Sequence, residues 1–485
     1  MNVNPITRLD YPDPDVIRVE DTYYMVSTTM HFMPGCEILQ SFDLVHWEHV
    51  TYVYETLDHT DAQQLKSGQN IYGQGMWAAS LRYHEGRFCI CFVANDTRKT
   101  YLYTSEKIDG PWKKQLIEGF YHDGSLLFDE DGRNYIVYGN DEIWITELNE
   151  DLTAPKKGGL HRLLVSDHKN PELGYEGSHI QKINGYYYIF LVHSLRDRWM
   201  RTEACFYSDS LEGEFTGGDV LCDDRGYCGQ GVAQGGIVDT PDGKWYAMLF
   251  QDSGAVGRIP ILLPVTWKDH FPFFGQNGHV PEEIEVHSTR PGYIYQPLVG
   301  SDDFCNGLLP RWQFNHDPDP RYYHLDALQG TYTITTREVC TELTQAVNTL
   351  TQRMSYPSCA AEVTVDASAL KEGDVAGLCA LQSCYAAVGI TKHHGKYEVL
   401  MLDKKEDGIL DMTEGTVVES HQMDFRLEAD FCNMKDEARC YYRVNKGDWL
   451  PIGTVHKLYF KLDHFTGCRF GLFCYAAEET GGSAC

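Results

Sequence analysis

As far as residue 250, hydrophobic and polar positions alternate in short runs that turn sharply and come back. Val16-Ile17-Arg18-Val19 passes through Glu20-Asp21 into Thr22-Tyr23-Tyr24, and Leu81-Arg82-Tyr83-His84 passes through Glu85-Gly86 into Arg87-Phe88-Cys89. The same figure, an alternating run, an acidic residue or Asn with Gly, then an aromatic run, recurs at 126–135, 179–188 and 237–246. Each is a strand, a tight turn and a returning strand. The turn residues Asp21, Gly86, Gly132, Gly185 and Gly243 stand 46 to 65 residues apart, room for about four strands per unit. Such a unit cannot bury both faces alone, and five closing in a ring also remove most exposed edges. The pattern predicts a five-bladed β-propeller.

Beyond Pro281 the repeat stops. Residues 286–292 are polar and turn-forming, and after 301 come alternating stretches at 331–335, 361–365 and 457–462 without a long amphipathic period. A second all-β unit, a β-sandwich, is predicted. The expected domains are residues 1–295, the propeller, and 301–485, the sandwich. A length of 485 residues agrees, since one hydrophobic core stops growing well short of it.

Charge narrows the function. Lys and Arg number 41 against 70 Asp and Glu, a net charge of −29, which repels nucleic acid and acidic membranes. Aromatic residues make up 13% of the chain, suiting both sheets and sugar-stacking surfaces. The N-terminus shows no basic, apolar leader and no run of 18 apolar residues occurs, so a cytoplasmic location without membrane partners is expected. Sixteen scattered Cys without a C-x-x-C pair point to free, mostly buried thiols rather than zinc or redox chemistry. The oligomeric state stays open, a homo-oligomer included.

Superposing the hairpins on their turns exposes candidate chemistry. Twelve residues before the third position after the turn Gly stand Trp77, Asp123, Glu176 and Gln234, and eleven before Tyr24 stands Asp13. In a propeller the leading strands line the axis, so these positions converge on one end of the channel. Singly, each acid is as well read as a turn, cap or surface residue. Three at one repeat position would repel one another without a use for that repulsion. With no basic partner or metal cluster at the repeat position, inverting glycoside hydrolysis is such a use. One carboxylic acid protonates the leaving oxygen, one carboxylate activates water, and a third raises the pKa of the acid. Trp77 offers a flat face for a sugar ring.

Tyr-Pro-Asp-Pro at 11–14, Gly75-Met76-Trp77-Ala78, His122-Asp123-Gly124-Ser125-Leu126 and Tyr175-Glu176-Gly177-Ser178-His179 resemble, in order, the four signature segments of glycoside hydrolase family 43. Asn348-Thr349-Leu350-Thr351-Gln352-Arg353 resembles the concanavalin-like C-terminal domain of its β-xylosidases. The resemblance implies Asp13 as general base, Glu176 as general acid and Asp123 as the carboxylate that tunes and orients it. It implies Arg258 as a sugar-binding cation and Phe32 as part of an aromatic wall, while the shared repeat position puts Gln234 with Trp77 among the substrate-binding candidates. No cofactor is implied as required. Relatives carry a His associated with a channel calcium where Ser253 stands here, which argues against that calcium.

The resulting expectation is an exo-acting, inverting β-1,4-xylosidase releasing xylose from the non-reducing ends of short xylo-oligosaccharides. An α-L-arabinofuranosidase or an enzyme with both activities is the alternative, and a retaining mechanism is a third reading. Outside enzymes, a glycan-binding module is the competing class.

Overall fold

The computed structural model describes residues 3–413 and 415–485, and among them every regular element is a strand apart from four single 3₁₀ turns. Met1 and Asn2 lie outside the described residues. Each of the five hairpins opens a four-stranded antiparallel sheet, and the sheets follow one another along the chain from Asp15 to Phe274. Val19 pairs with Thr22, His84 with Arg87 and Ile183 with Tyr186, leaving two residues per turn, and Glu20, Glu85 and Asn184 take left-handed backbone. Two-residue turns of this hand match the twist of the strands they join.

The leading strands Asp15–Val19, Met76–His84, Ser125–Phe128, Glu176–Ile183 and Val232–Asp239 touch neighbour to neighbour, and the last touches the first. Five blades therefore close a ring. The N-terminal segment fastens blade one to blade five. Asn4 Nδ2 donates to the Leu262 carbonyl at 2.7 Å, Leu262 N donates back to Asn4 Oδ1 at 3.0 Å, and Tyr11 N donates to the Arg258 carbonyl at 3.0 Å. Apolar residues fill the spaces between blades, as with Leu127, Tyr135, Ile180 and Leu191 between blades three and four. That burial is the main force holding blade to blade.

The remaining chain supplies a four-stranded sheet and eight strands of a nine-stranded one, packed as a sandwich over a core that includes Leu378, Val388, Met401, Phe425 and Leu427. Ala255, Val256 and Ile259 of blade five belong to that same core, so the two units share apolar interior. The larger sheet also takes in Phe32–Met33 from blade one, Met33 pairing with Phe314 and Phe32 with Asn315. Around this seam the rings of His31, Tyr72, His316 and His464 pack with centroids 4.6 to 5.2 Å apart. Burial pushes the His316 and His464 imidazoles down to about 3, which leaves them neutral. The polar connecting stretch is docked too: Ile284, Val286, Leu298 and Val299 pack on the blade-one core. Ten of the sixteen thiols are buried, whereas Cys222, Cys228, Cys305 and Cys432 are exposed.

Candidate active site

The repeat position has the same backbone habit in every blade. Asp13, Asp123 and Gln234 have φ of 53°, 48° and 63°, and the residues after Trp77 and Glu176, Ala78 and Gly177, have φ of 20° and 65°. In blades two, four and five the register slips there, between Trp77 and Ser80, Glu176 and His179, and Ala233 and Gly236. A bulge with a left-handed residue re-aims one side chain at the start of a strand. Holding non-glycine residues in that conformation costs roughly 1–3 kcal/mol each, a strain typical of functional sites. Gly177 is required as glycine twice over, by its positive φ and because a Cβ would lie 2.7 Å from Gln234 Cγ.

The three carboxylates share one end of the channel, and each has a partner. Asp13, 6% exposed, receives Thr28 Oγ1 at 2.6 Å and Arg258 Nη1 at 3.0 Å. Thr28 in turn accepts the Ala78 N–H at 2.8 Å, tying the carboxylate to blade two. Asp123, also 6% exposed, accepts the Gly177 N–H at 3.1 Å. Glu176 Oε2 accepts Asn140 Nδ2 at 2.7 Å from the end of a blade-three strand. His122 Nε2 lies 3.6 Å from both Asp123 Oδ2 and Glu176 Oε2.

This corrects the expectation of acids without basic partners: Arg258 neutralises one and His122 lies between the other two. The repeat alignment missed His122 because it stands one residue before the repeat position. Its signal was an ionisable ring beside Asp123. Burial lifts the Asp123 carboxyl to about 6, the His122 charge opposing and the Glu176 and Asp13 charges adding to the rise. The Asp123 charge lifts His122 to about 9 against the effect of its burial. One ligand atom each from His122, Asp123 and Glu176 lie within 4.8 Å of one another, a grouping able to hold a cation when the imidazole is neutral. The raised pKa favours the protonated ring at neutral pH, so the imidazolium serves as counter-charge to the two carboxylates.

The pairing sets a pH limit. Because the pKa of His122 rises on folding, the stabilisation its protonated ring brings is lost as pH climbs through about 9, while its pairing with an ionised Asp123 fades as pH falls through about 6. Activity is expected to fall along the alkaline limb, and His122→Gln to move the limb and lower kcat/KM at neutral pH by roughly tenfold, the scale of one contact to a charged group. A pH–rate profile checks this; an alkaline limb left in place in the variant contradicts it.

Trp77 packs its ring 5.2 Å from Phe465 and 6.1 Å from His122, so it lines the site. Phe465 comes from the sandwich, held by Arg258 Nη2 donating to its carbonyl at 3.4 Å and by the guanidinium 4.5 Å from its ring centroid. No local signal in the sequence pointed to it, since it reaches the site only through docking of the second domain. Arg258 is buried, with its first contacts on Asp13 and this loop. Its position rests on Gly257, where a Cβ would meet Asp10 Oδ1 at 2.3 Å and φ is 104°. Gln234 is 3% exposed, packs against Gly177 and donates its backbone N–H to Glu203 Oε2 at 2.7 Å. Ser253 donates to the Gln251 carbonyl at 3.2 Å in the turn that precedes Arg258.

Phe32 is elsewhere. It is fully buried at the seam, with the Arg469 guanidinium 3.5 Å from its ring centroid, so it is no wall of the sugar site. The reason is its pairing with Asn315, which draws the residue into the sandwich sheet.

Comparison with known proteins gives one family. The profile of Glycosyl hydrolases family 43 matches residues 3–272, and that of the Beta xylosidase C-terminal Concanavalin A-like domain matches residues 301–485. A β-xylosidase of Formosa agariphila is 26% identical over 541 aligned positions, covering 99% of this chain and 88% of that protein. A solved bifunctional GH43-CE protein of Bacteroides eggerthii superposes with a TM-score of 0.92 at 42% identity over 99% of this chain, which spans 62% of that protein's length. A solved, engineered GH43 enzyme displaying both endo-xylanase and exo-arabinofuranosidase activity superposes with a TM-score of 0.86 at 27% identity, covering 99% of this chain and 98% of that one.

Proposed function

The chain belongs to glycosyl hydrolase family 43, and on that premise we propose that this glycoside hydrolase is an exo-acting, inverting β-1,4-xylosidase that removes xylose from the non-reducing ends of short xylo-oligosaccharides. The observation that carries the reading is the gathering of Asp13, Asp123 and Glu176 at one channel end, beside the packed rings of Trp77 and Phe465. Asp13 takes a proton from water as that water attacks the anomeric carbon. Glu176 gives a proton to the departing oxygen, and the C–O bond breaks with inversion. Asp123 holds the Gly177 N–H beside Glu176, and its charge, shared with His122, sets the field in which the acid works. A site closed on one side by the sandwich residue Phe465 suits a chain end better than a chain interior.

Arabinofuranosidase action is the second reading, favoured by the exo-arabinofuranosidase activity of one structural relative. Xylopyranose and arabinofuranose present related hydroxyl patterns to one pocket. Side-by-side turnover of nitrophenyl β-D-xyloside and nitrophenyl α-L-arabinofuranoside decides between them, with the larger kcat/KM expected for the xyloside. NMR of the first-formed sugar is expected to show the anomer opposite to the substrate's. Turnover of neither compound sinks the reading, and a retained anomer refutes inversion.

A further inference from the structure

One guanidinium beside the carboxylates has no task in the proposed reaction. Arg201 opens the third strand of blade four and pairs with Ser194, two rungs beyond the Val192 that faces Glu176, so it stands at the same end of the blade as the acid. Its Nε donates to Asp252 Oδ2 at 2.8 Å, and its Nη1 is buried and meets no acceptor among the described residues. Burial works against its charge, and the carboxylates of Asp252, Glu176 and Asp13 outweigh that cost. A charged donor kept in place without an acceptor calls for an explanation. Its guanidinium also lies 5.3 Å from the ring centroids of the buried Phe250 and of Trp199. Trp199 is 45% exposed, a large flat surface left to solvent beside a buried donor.

We propose that Trp199 and Arg201 form the subsite for the leaving sugar, a neutral pentose of a β-1,4-linked oligosaccharide, with one ring face on the indole and a hydroxyl oxygen accepting from Arg201 Nη1. The assignment rests on Glu176 being the general acid. That acid must face the glycosidic oxygen, so the loop of its own blade borders the departing unit. The pairing of a flat apolar ring with a forked donor suits a sugar, whose ring faces are apolar and whose edge carries hydroxyls.

The test compares two substrates with the same glycone, xylobiose and xylosyl fluoride, the second losing a fluoride ion that has no ring to stack. The quantity read is the ratio of kcat/KM for xylobiose to that for the fluoride, in the full chain and in two variants. Trp199→Ala is expected to lower the ratio about fivefold to tenfold. Arg201→Lys, which keeps a cation opposite Asp252 but loses the forked donor, is expected to lower it roughly tenfold. Thermal melting of each variant verifies folding, and the exposure of Trp199 keeps the first variant free of core disruption. A ratio constant within about twofold in both variants, whether both rates stay or both fall together, overturns the subsite while leaving the reaction intact. Wild-type enzyme that cleaves neither compound overturns the reading of the reaction and the subsite together.

Discussion

Glu176→Gln is expected to lower kcat/KM on xylobiose by about 10²–10⁴-fold, the usual contribution of a positioned general acid. The sugar oxygen is a poor leaving group and must be protonated as its bond breaks, and glutamine has no proton of the needed acidity to give. Xylosyl fluoride, or an aryl xyloside with a strongly acidic phenol, departs with little help and is expected to lose far less. The substitution is nearly isosteric, and the amide oxygen can still accept from Asn140, whose Nδ2 lies 2.7 Å from Oε2 in the native protein. KM is expected to change little, because the ring still meets Trp77 and Phe465. The measurement is kcat/KM across aryl xylosides of graded leaving-group acidity: the dependence should steepen in the variant. Equal losses for good and poor leaving groups would remove Glu176 from the role of acid.

Much of this architecture was legible because it is written locally and five times over. A two-residue turn of positive φ between alternating runs needs no distant partner, so the hairpins at Glu20, Glu85 and Asn184 show in the sequence. Counting from those turns reaches the site because each blade repeats a left-handed residue at or just after the same position of its strand start. Residues 13, 123 and 176 therefore meet in space although long stretches of chain part them. The same count reaches Trp77 and Gln234 near the starts of the strands Met76–His84 and Val232–Asp239.

What the repeat does not encode is what arrives from outside it. Phe465 depends on how the sandwich docks, and that docking rests on Ala255 and Val256 entering the second core and on Gly467 N donating to Asp10 Oδ2 at 2.8 Å. Phe32 shows the converse. An aromatic residue in a loop near the site is ambiguous until its strand partner is known, and Asn315 lies far along the chain. Arg201 and Asn140 sit at the ends of a third and a second blade strand, where the alignment of leading strands does not look. Their signal, a polar residue at the end of a blade strand next to an acid-bearing neighbour, appears only once the blades are ordered around the ring.

Asp13→Asn is expected to reduce kcat/KM by about 10²–10⁴-fold as well, but to the same degree for every leaving group. Loss of a base slows attack by water, a step common to xylobiose, aryl xylosides and the fluoride, so the leaving-group dependence should keep its native slope. Asparagine is the substitution of choice for two structural reasons. At φ 53° the backbone sits where asparagine is well tolerated and alanine is strained. Alanine would also leave the Arg258 guanidinium, now 3.0 Å from Asp13 Oδ1, buried without its counter-ion, at a cost of about 3–5 kcal/mol that would confuse a catalytic loss with a folding one. Azide, which attacks carbon without first giving up a proton, is expected to restore part of the turnover in this variant and to yield the glycosyl azide of inverted configuration. It should do nothing for Glu176→Gln acting on xylobiose, where the missing proton is on the other side of the bond. Azide rescue of the Glu176 variant, or a slope that steepens in the Asp13 variant, would exchange the two roles.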